Sequence, residues 1–259
     1  MSPDPGFDRF YDFFTTNLGL TVEVIKRTKE KSADAFVNGE RPGYAVELKA
    51  RCNRDNFTSE IASGKPVLVV EKSDFDHWVI NQARDALKQL QSNDPQQERI
   101  WVLWIDTTNR TETGLGFEQV LGTVFGVEKY IDDKFNGYKC LQSQPSLFER
   151  FPKLDLVVVR DEDEGIALCA NEASGRFEIV SSSGMFKYFK VHVGVCTVSS
   201  LQGSGFLAID PEAVDRQSEL AVSKYLEKKY GLQRVSFADF QTSVSSIRLP
   251  PRNHRIADS

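Results

Sequence analysis

Asp34, Glu47 and Lys49 are the residues whose types and spacing can do chemistry together. Two carboxylates and an ammonium brought to one place could hold a divalent cation and act on a water molecule. They lie in a stretch with the grammar of a β-hairpin. DAFV (34–37) and YAVELKA (44–50) are short runs of apolar and β-favouring residues, and NGERPG (38–43) between them is dense in turn residues. A turn centred between Glu40 and Arg41 makes paired numbers sum to 81, so Phe36 faces Ala45 and Asp34 faces Glu47. Residues two apart share a strand face, so Glu47 and Lys49 point the same way, beside Asp34. Val46 and Leu48 then point into a core. Two carboxylates directly opposite each other repel; a bound cation would turn that liability into a site.

Asp34, a gap of twelve residues and then Glu47-Leu48-Lys49 resembles the PD-(D/E)xK nuclease signature at its expected hairpin. Ala33 stands where the signature usually has Pro, a departure that leaves the metal ligands untouched. The resemblance implies an α/β, restriction endonuclease-like fold with an αβββαβ core and a mixed sheet. It also implies metal-dependent hydrolysis of phosphodiester bonds of DNA, in restriction, repair or defence. In that reading Asp34, Glu47 and the backbone carbonyl of Leu48 ligate Mg²⁺ (or Mn²⁺), a hard cation suited to oxygen ligands. Lys49 orients or helps deprotonate the attacking water and offsets charge in the transition state. In many members a helix residue after the ExK strand, often Gln, touches the site; Gln82 is the choice here and Gln89 the alternate. Arg51, Arg54 and Lys65 follow the motif and are candidates for phosphate contacts. Some members add an acid from the first helix, usually Glu, where this chain offers only Asp8 and Asp12, with shorter reach. Two-strand cleavage by such folds often uses a dimer, which leaves a homodimer open.

The whole chain sets bounds on these readings. Its 259 residues allow one large domain or two small ones, and 40% hydrophobic with 27% charged content is ordinary for a soluble globular protein. A net charge of −5 argues against a protein that coats nucleic acid non-specifically, yet leaves room for an enzyme with a local basic groove. Cys52, Cys140, Cys169 and Cys196 are widely spaced, form no CxxC pair and read as reduced packing residues. No basic-then-apolar leader opens the sequence and no apolar run reaches membrane-spanning length, so a cytoplasmic protein without a membrane partner is expected.

In chain order, FDRFYDFFTTNL reads as a helix from Asp8 to Leu18 with an aromatic face, ended by Gly19. LTVEVIKRT is the first strand and the hairpin supplies the next two. PVLVVEK is left open between strand and buried segment. A helix follows from a Ser73-Asp74 cap, with Trp78, Val79, Ala83, Ala86, Leu87 and Leu90 at helical spacing. RIWVLWID (99–106) is a nearly continuous apolar strand of the kind buried on both faces. GFEQVLGTVFGVEKYIDDKF suggests a helix interrupted by glycines. LDLVVVRDEDEGIALCANE reads as two strands around an acidic turn, and RFEIVSS, KVHVGVCTVS and GFLAID as further strands. Pro211 to Tyr230 reads as a charged helix with Gly231 after its end. The organisation expected is a nuclease-like domain over 1–150 and a strand-rich C-terminal region over 151–259. His77 and His192 lack ligand-like spacing, Trp101 and Trp104 are simplest as core residues, and TGLG at 113–116 is too short for a dinucleotide fingerprint. Two functions compete: the nuclease, and a catalytically inactive scaffold of the same fold that binds nucleic acid or a protein partner.

Overall fold

The computed structural model describes residues 5–25, 34–50, 74–107, 117–161 and 165–238. Helix α1 (Pro5–Asp12) runs straight into a π-helical turn, Phe13–Asn17, and Gly19 then turns the chain at φ +66°. The widened turn explains how the consecutive Phe13 and Phe14 are both buried, which a regular helix face does not readily permit. Strands β1 (Thr21–Val24), β2 (Ala35–Asn38) and β3 (Tyr44–Ala50) follow, then α2 (Asp74–Asn93) and β4 (Ile100–Asp106). The segments containing PVLVVEK, Arg51, Arg54 and Lys65 lie outside the described residues.

The main sheet has seven strands in the order β1-β2-β3-β4-β7-β8-β9, with β7 at Leu156–Asp161, β8 at Gly165–Ala170 and β9 at Val195–Cys196. It is mixed: β3, β4 and β7 are mutually parallel, while β1, β2 and β3 form an antiparallel meander. The position near residue 150 where the sequence suggested a boundary falls between β4 and β7, which are hydrogen-bonded neighbours in this one sheet.

Helices cover both faces. On one side α1 and the π-turn, with α5 (Phe177–Ser182) and α6 (Gly184–His192), pack Phe10, Phe14, Met185 and Phe189 against Tyr44, Val46, Val102, Trp104 and Val158. On the other, α2, α3 (Phe117–Phe125) and the short α4 (Leu147–Arg150) pack Val79, Ala83, Val120 and Val124 against Leu103, Ile105, Val157 and Val159. All seven residues of β4 are buried, as expected of a central parallel strand.

A second, four-stranded sheet, in the order β10 (Leu207–Ala208), β6, β5, β11 (Ser236–Phe237), is built around a hairpin of β5 (Glu128–Ile131) and β6 (Gly137–Leu141), inserted between α3 and α4. The sequence reading took this stretch as helix. The helix ends instead at Phe125, because Gly126 (φ +61°) lies so close to the chain that a Cβ there would sit 2.1 Å from the Gln144 carbonyl oxygen. Beyond it, α7 (Val198–Gly203), β10 (Leu207–Ala208), α8 (Glu219–Tyr230) and β11 (Ser236–Phe237) complete the described chain. Gly231 ends α8 in the left-handed conformation, but the helix starts at a Ser218 cap rather than at Pro211. Residues 177–182 of RFEIVSS and 190–192 of KVHVGVCTVS are helical, a correction to the strand reading, while Val195–Cys196 of the latter is the strand β9. Phe177 and Val180, then Met185, Phe186 and Phe189, fall at helical spacing on the core, and Ser183 caps α6 through the Phe186 amide.

The amino-terminal edge of the parallel strands is held by buried acids. Asp94, just past α2, accepts from the Glu98 amide (2.9 Å), the Arg99 amide (3.0 Å) and the Trp101 indole (2.9 Å). Asp155, fully buried with its pKa raised by desolvation, accepts from the Trp101 amide at 2.9 Å and pairs with Arg176 at 3.5 Å. Asp94→Ala strands three donors at once. It should lower stability by about 2–4 kcal/mol in urea unfolding at unchanged m-value; a loss below about 0.5 kcal/mol would show that the Asp94 bonds do not organise this edge.

Asp132 offers a separate pH test. Its carboxylate closes the β5–β6 hairpin on Asn136, Lys134 and Tyr138, chiefly the Asn136 side chain, which holds its pKa down at about 2. A depressed acid contributes stability above its unfolded value that fades as pH falls through the folded one. Wild type should therefore lose stability relative to Asp132→Asn between about pH 4 and pH 2, and converge with it below. Parallel curves across that window would remove the charge from the argument.

Candidate functional site

The hairpin ladder runs Ala35↔Val46, Phe36↔Ala45, Val37↔Tyr44, and every pair sums to 81. Asp34 sits one step past its end. Its amide still reaches the Val46 carbonyl (3.1 Å), but its side chain replaces the next backbone acceptor: Asp34 Oδ2 accepts from the Leu48 amide at 2.9 Å. The acid is thereby fixed against the very peptide of β3 that separates Glu47 from Lys49.

Val46 packs in the α1-side core and Leu48 lies against it, while Glu47 and Lys49 take the opposite face, in register with Leu103 and Ile105 of β4. That face carries α2. Glu47 is fully buried, and Lys49 retains 17% side-chain exposure. The Lys49 ammonium lies 2.5 Å from Glu47 Oε1 and donates to Gln89 Oε1 at 3.3 Å. Of the two candidate glutamines on α2, Gln82 and Gln89, Gln89 is therefore the one joined to the motif. Gln82, the choice from sequence, is half-buried and about 10 Å earlier along the helix axis. α2 runs back antiparallel to β3, so its last turns lie over the start of the strand, where Leu90 packs on Ala45, and the long Lys49 side chain reaches back to Gln89.

Sequence reasoning missed what stands beside this pair. β4 and β7 also end in polar groups at the same carboxyl edge. Arg9 of α1 sits 3.3 Å from both oxygens of the buried Asp106. The Thr107 hydroxyl lies 2.7 Å from Asp161 Oδ2 and 2.9 Å from the Arg160 carbonyl oxygen. The signal was present: IWVLWID and LVVVRD are apolar strands closing on an acid, at the strand ends where α/β sheets bind ligands. Asp8 and Asp12 are exposed; α1 sends the sheet a cation, Arg9, rather than an acid.

Among the described residues no group of three or more His, Cys, Asp or Glu side chains is arranged to hold a metal ion, and no helix is long and apolar enough to cross a membrane. Two carboxylates still match an ion that keeps most of its waters and takes further oxygens from a substrate phosphate. Comparison with known proteins gives no match to a protein-family model, a curated protein or a solved structure.

The buried pair makes a stability prediction. Lys49→Ala removes the cation paired with the buried Glu47 beneath α2, so it should cost about 3–5 kcal/mol in chemical denaturation. A Glu47→Gln, Lys49→Met double variant removes both charges and should recover most of that loss. Additive losses from the two single changes would mean that the residues do not act as a pair.

Proposed function

We propose that this protein is a metal-dependent nuclease that hydrolyses phosphodiester bonds of DNA, as the resemblance to the PD-(D/E)xK signature implies. The observation that carries the reading is the joint placement of its three residues. Asp34 is bonded to the Leu48 amide, and Glu47 and Lys49 flank that peptide on one face of β3 at its carboxyl end. Asp34, Glu47 and the Leu48 carbonyl would hold Mg²⁺ or Mn²⁺, which when bound polarises a phosphate and lowers the pKa of a coordinated water. Asp34 and Glu47 supply the negative charge that draws the cation in, and burial of Glu47 strengthens that attraction. Lys49, held by Gln89 and Glu47, presents its ammonium for orienting the attacking water and offsetting charge on the phosphoryl oxygens. DNA as substrate, a homodimer, phosphate contacts by Arg51, Arg54 and Lys65, and a cytoplasmic setting all rest on the sequence reading.

A second reading is favoured by one contact. Lys49 already neutralises Glu47 at 2.5 Å, so the pair can serve as structural ballast in a scaffold that binds nucleic acid or protein without cleaving it.

One set of variants separates the two. Wild type incubated with Mg²⁺ or Mn²⁺ and plasmid, linear duplex, single-stranded DNA or RNA should cleave DNA, and the metal should raise its Tm. Asp34→Asn keeps an oxygen for the Leu48 amide but loses the charge, so it should stay folded, lose the metal-dependent rise in Tm and lose cleavage. Lys49→Arg keeps Glu47 paired yet cannot shed a proton, and should slow single-turnover cleavage by about 10²–10⁴-fold. Cleavage of none of the four substrates, with binding of one in Ca²⁺ retained, would hand the fold to the scaffold reading.

A further inference from the structure

Cys169 and Cys196 lie far apart in the chain and side by side in the fold. β8 and β9 are parallel neighbours, and their register sets Cys169 directly beside Cys196. Both side chains face the α2-side core, Cys169 within it and Cys196 against its margin. The register places the two thiols side by side on neighbouring strands, on one face of the sheet. Adjacent strands lie about 4.7–4.9 Å apart, within the Cα separation of about 4.4–6.8 Å that a disulfide spans. Both cysteines are reduced in this structure.

The two thiols are not equivalent. Cys169 is fully buried, and Cys196 is half-buried on a two-residue edge strand. Desolvation pushes the Cys169 thiol well up, whereas the neighbouring Cys169 pulls the Cys196 thiol down. A lowered thiol pKa and access therefore coincide at Cys196, and Cys169 stands beside it in the register of β8 and β9.

We propose that Cys169 and Cys196 form a peroxide-sensitive dithiol site that closes to a disulfide joining β9 to β8. The oxidant is hydrogen peroxide or an alkyl hydroperoxide. Cys196 Sγ attacks one peroxide oxygen and the O–O bond breaks, giving a Cys196 sulfenic acid and hydroxide, which takes the thiol proton to become water (an alcohol from an alkyl hydroperoxide). Cys169 Sγ then attacks the Cys196 sulfur, the S–O bond breaks, and the departing hydroxide takes the Cys169 proton as a second water. Two thiols are oxidised by two electrons and one peroxide is reduced. Placement of both sulfurs on one sheet face means that closure needs no rearrangement of the strands, and reduction by a small dithiol reverses it.

The test uses the full chain with all four cysteines. Trypsin places Cys52, Cys140, Cys169 and Cys196 on four different peptides, with Cys169 on 161–176 and Cys196 on 191–216. After peroxide treatment and non-reducing digestion, mass spectrometry should find 161–176 joined to 191–216 with the loss of two hydrogens, and dithiothreitol should separate them. In Cys169→Ser the link should vanish and a dimedone adduct of the Cys196 sulfenic acid should accumulate; in Cys196→Ser, Cys169 should resist peroxide. A link through Cys52 or Cys140 in place of this one, over-oxidation of Cys196 without a link, or no reaction in the wild-type protein would overturn the proposal. Because the wild-type arm decides by itself, a Cys169 variant that fails to fold does not rescue it.

Discussion

β4 is buried along its whole length, and that constraint decides where polar chemistry can stand in this molecule. A parallel strand with helices on both faces has no solvent-facing side on which to carry charged groups. Polar groups are therefore pushed to the strand ends, and the two ends are used differently. At the amino edge Asp94, Asp155 and Arg176 bond chiefly to backbone amides and carbonyls, through Arg176 to the Arg99 carbonyl among others, beside the Trp101 indole and the Asp155–Arg176 pair. At the carboxyl edge the contacts run between side chains from different elements: Arg9 with Asp106, Thr107 with Asp161, Lys49 with Glu47 and Gln89. Bonds to backbone fix a shape; pairs between side chains can be exchanged for a ligand without unravelling a strand.

Glu47 is the exception that tests this division, because it lies inside β3 rather than past its end. Its burial under α2 has an electrostatic cost that a nearby cation helps to offset. Lys49 supplies that cation from the same strand face, two residues on. The arrangement is compatible with a metal ion because Asp34, anchored on the Leu48 amide, brings a second carboxylate to the same stretch of β3. A cation entering there would meet two acids and one ammonium, a net attraction, whereas Glu47 and Lys49 alone would present none.

The hairpin and the central strands were legible because their signals are local. Turn residues at 38–43 set the register, and an unbroken apolar run from Ile100 to Ile105 can only be a strand sheltered on both sides. Fewer than two turns of helix, by contrast, give too little periodicity to distinguish from a strand. RFEIVSS has Phe177 and Val180 as its core contacts, a helical spacing, but one such pair is too little to outweigh the β-favouring Phe, Ile and Val around it. The β5–β6 hairpin was hidden for another reason: the glycine that ends α3 acts by close approach to Gln144, a partner eighteen residues on.

The site was legible to the same depth. Asp34, Glu47 and Lys49 could be placed on one hairpin because residue parity fixes strand faces, but parity does not say what lies over a face. The helix residue that meets Lys49 depends on where α2 crosses β3 and how far a lysine reaches, and both depend on the packing of Ala83, Ala86 and Leu90. Gln82 and Gln89 share a side of α2, so only the crossing distinguishes them. The acids at the ends of β4 and β7 were concealed similarly. Asp106 and Asp161 each look like the polar residue that merely closes a strand, and they become part of one edge only when β7 is seen to return beside β4. The Cys169–Cys196 contact follows the same rule: the alternation in KVHVGVCTVS points to a strand there, but not to its place beside β8.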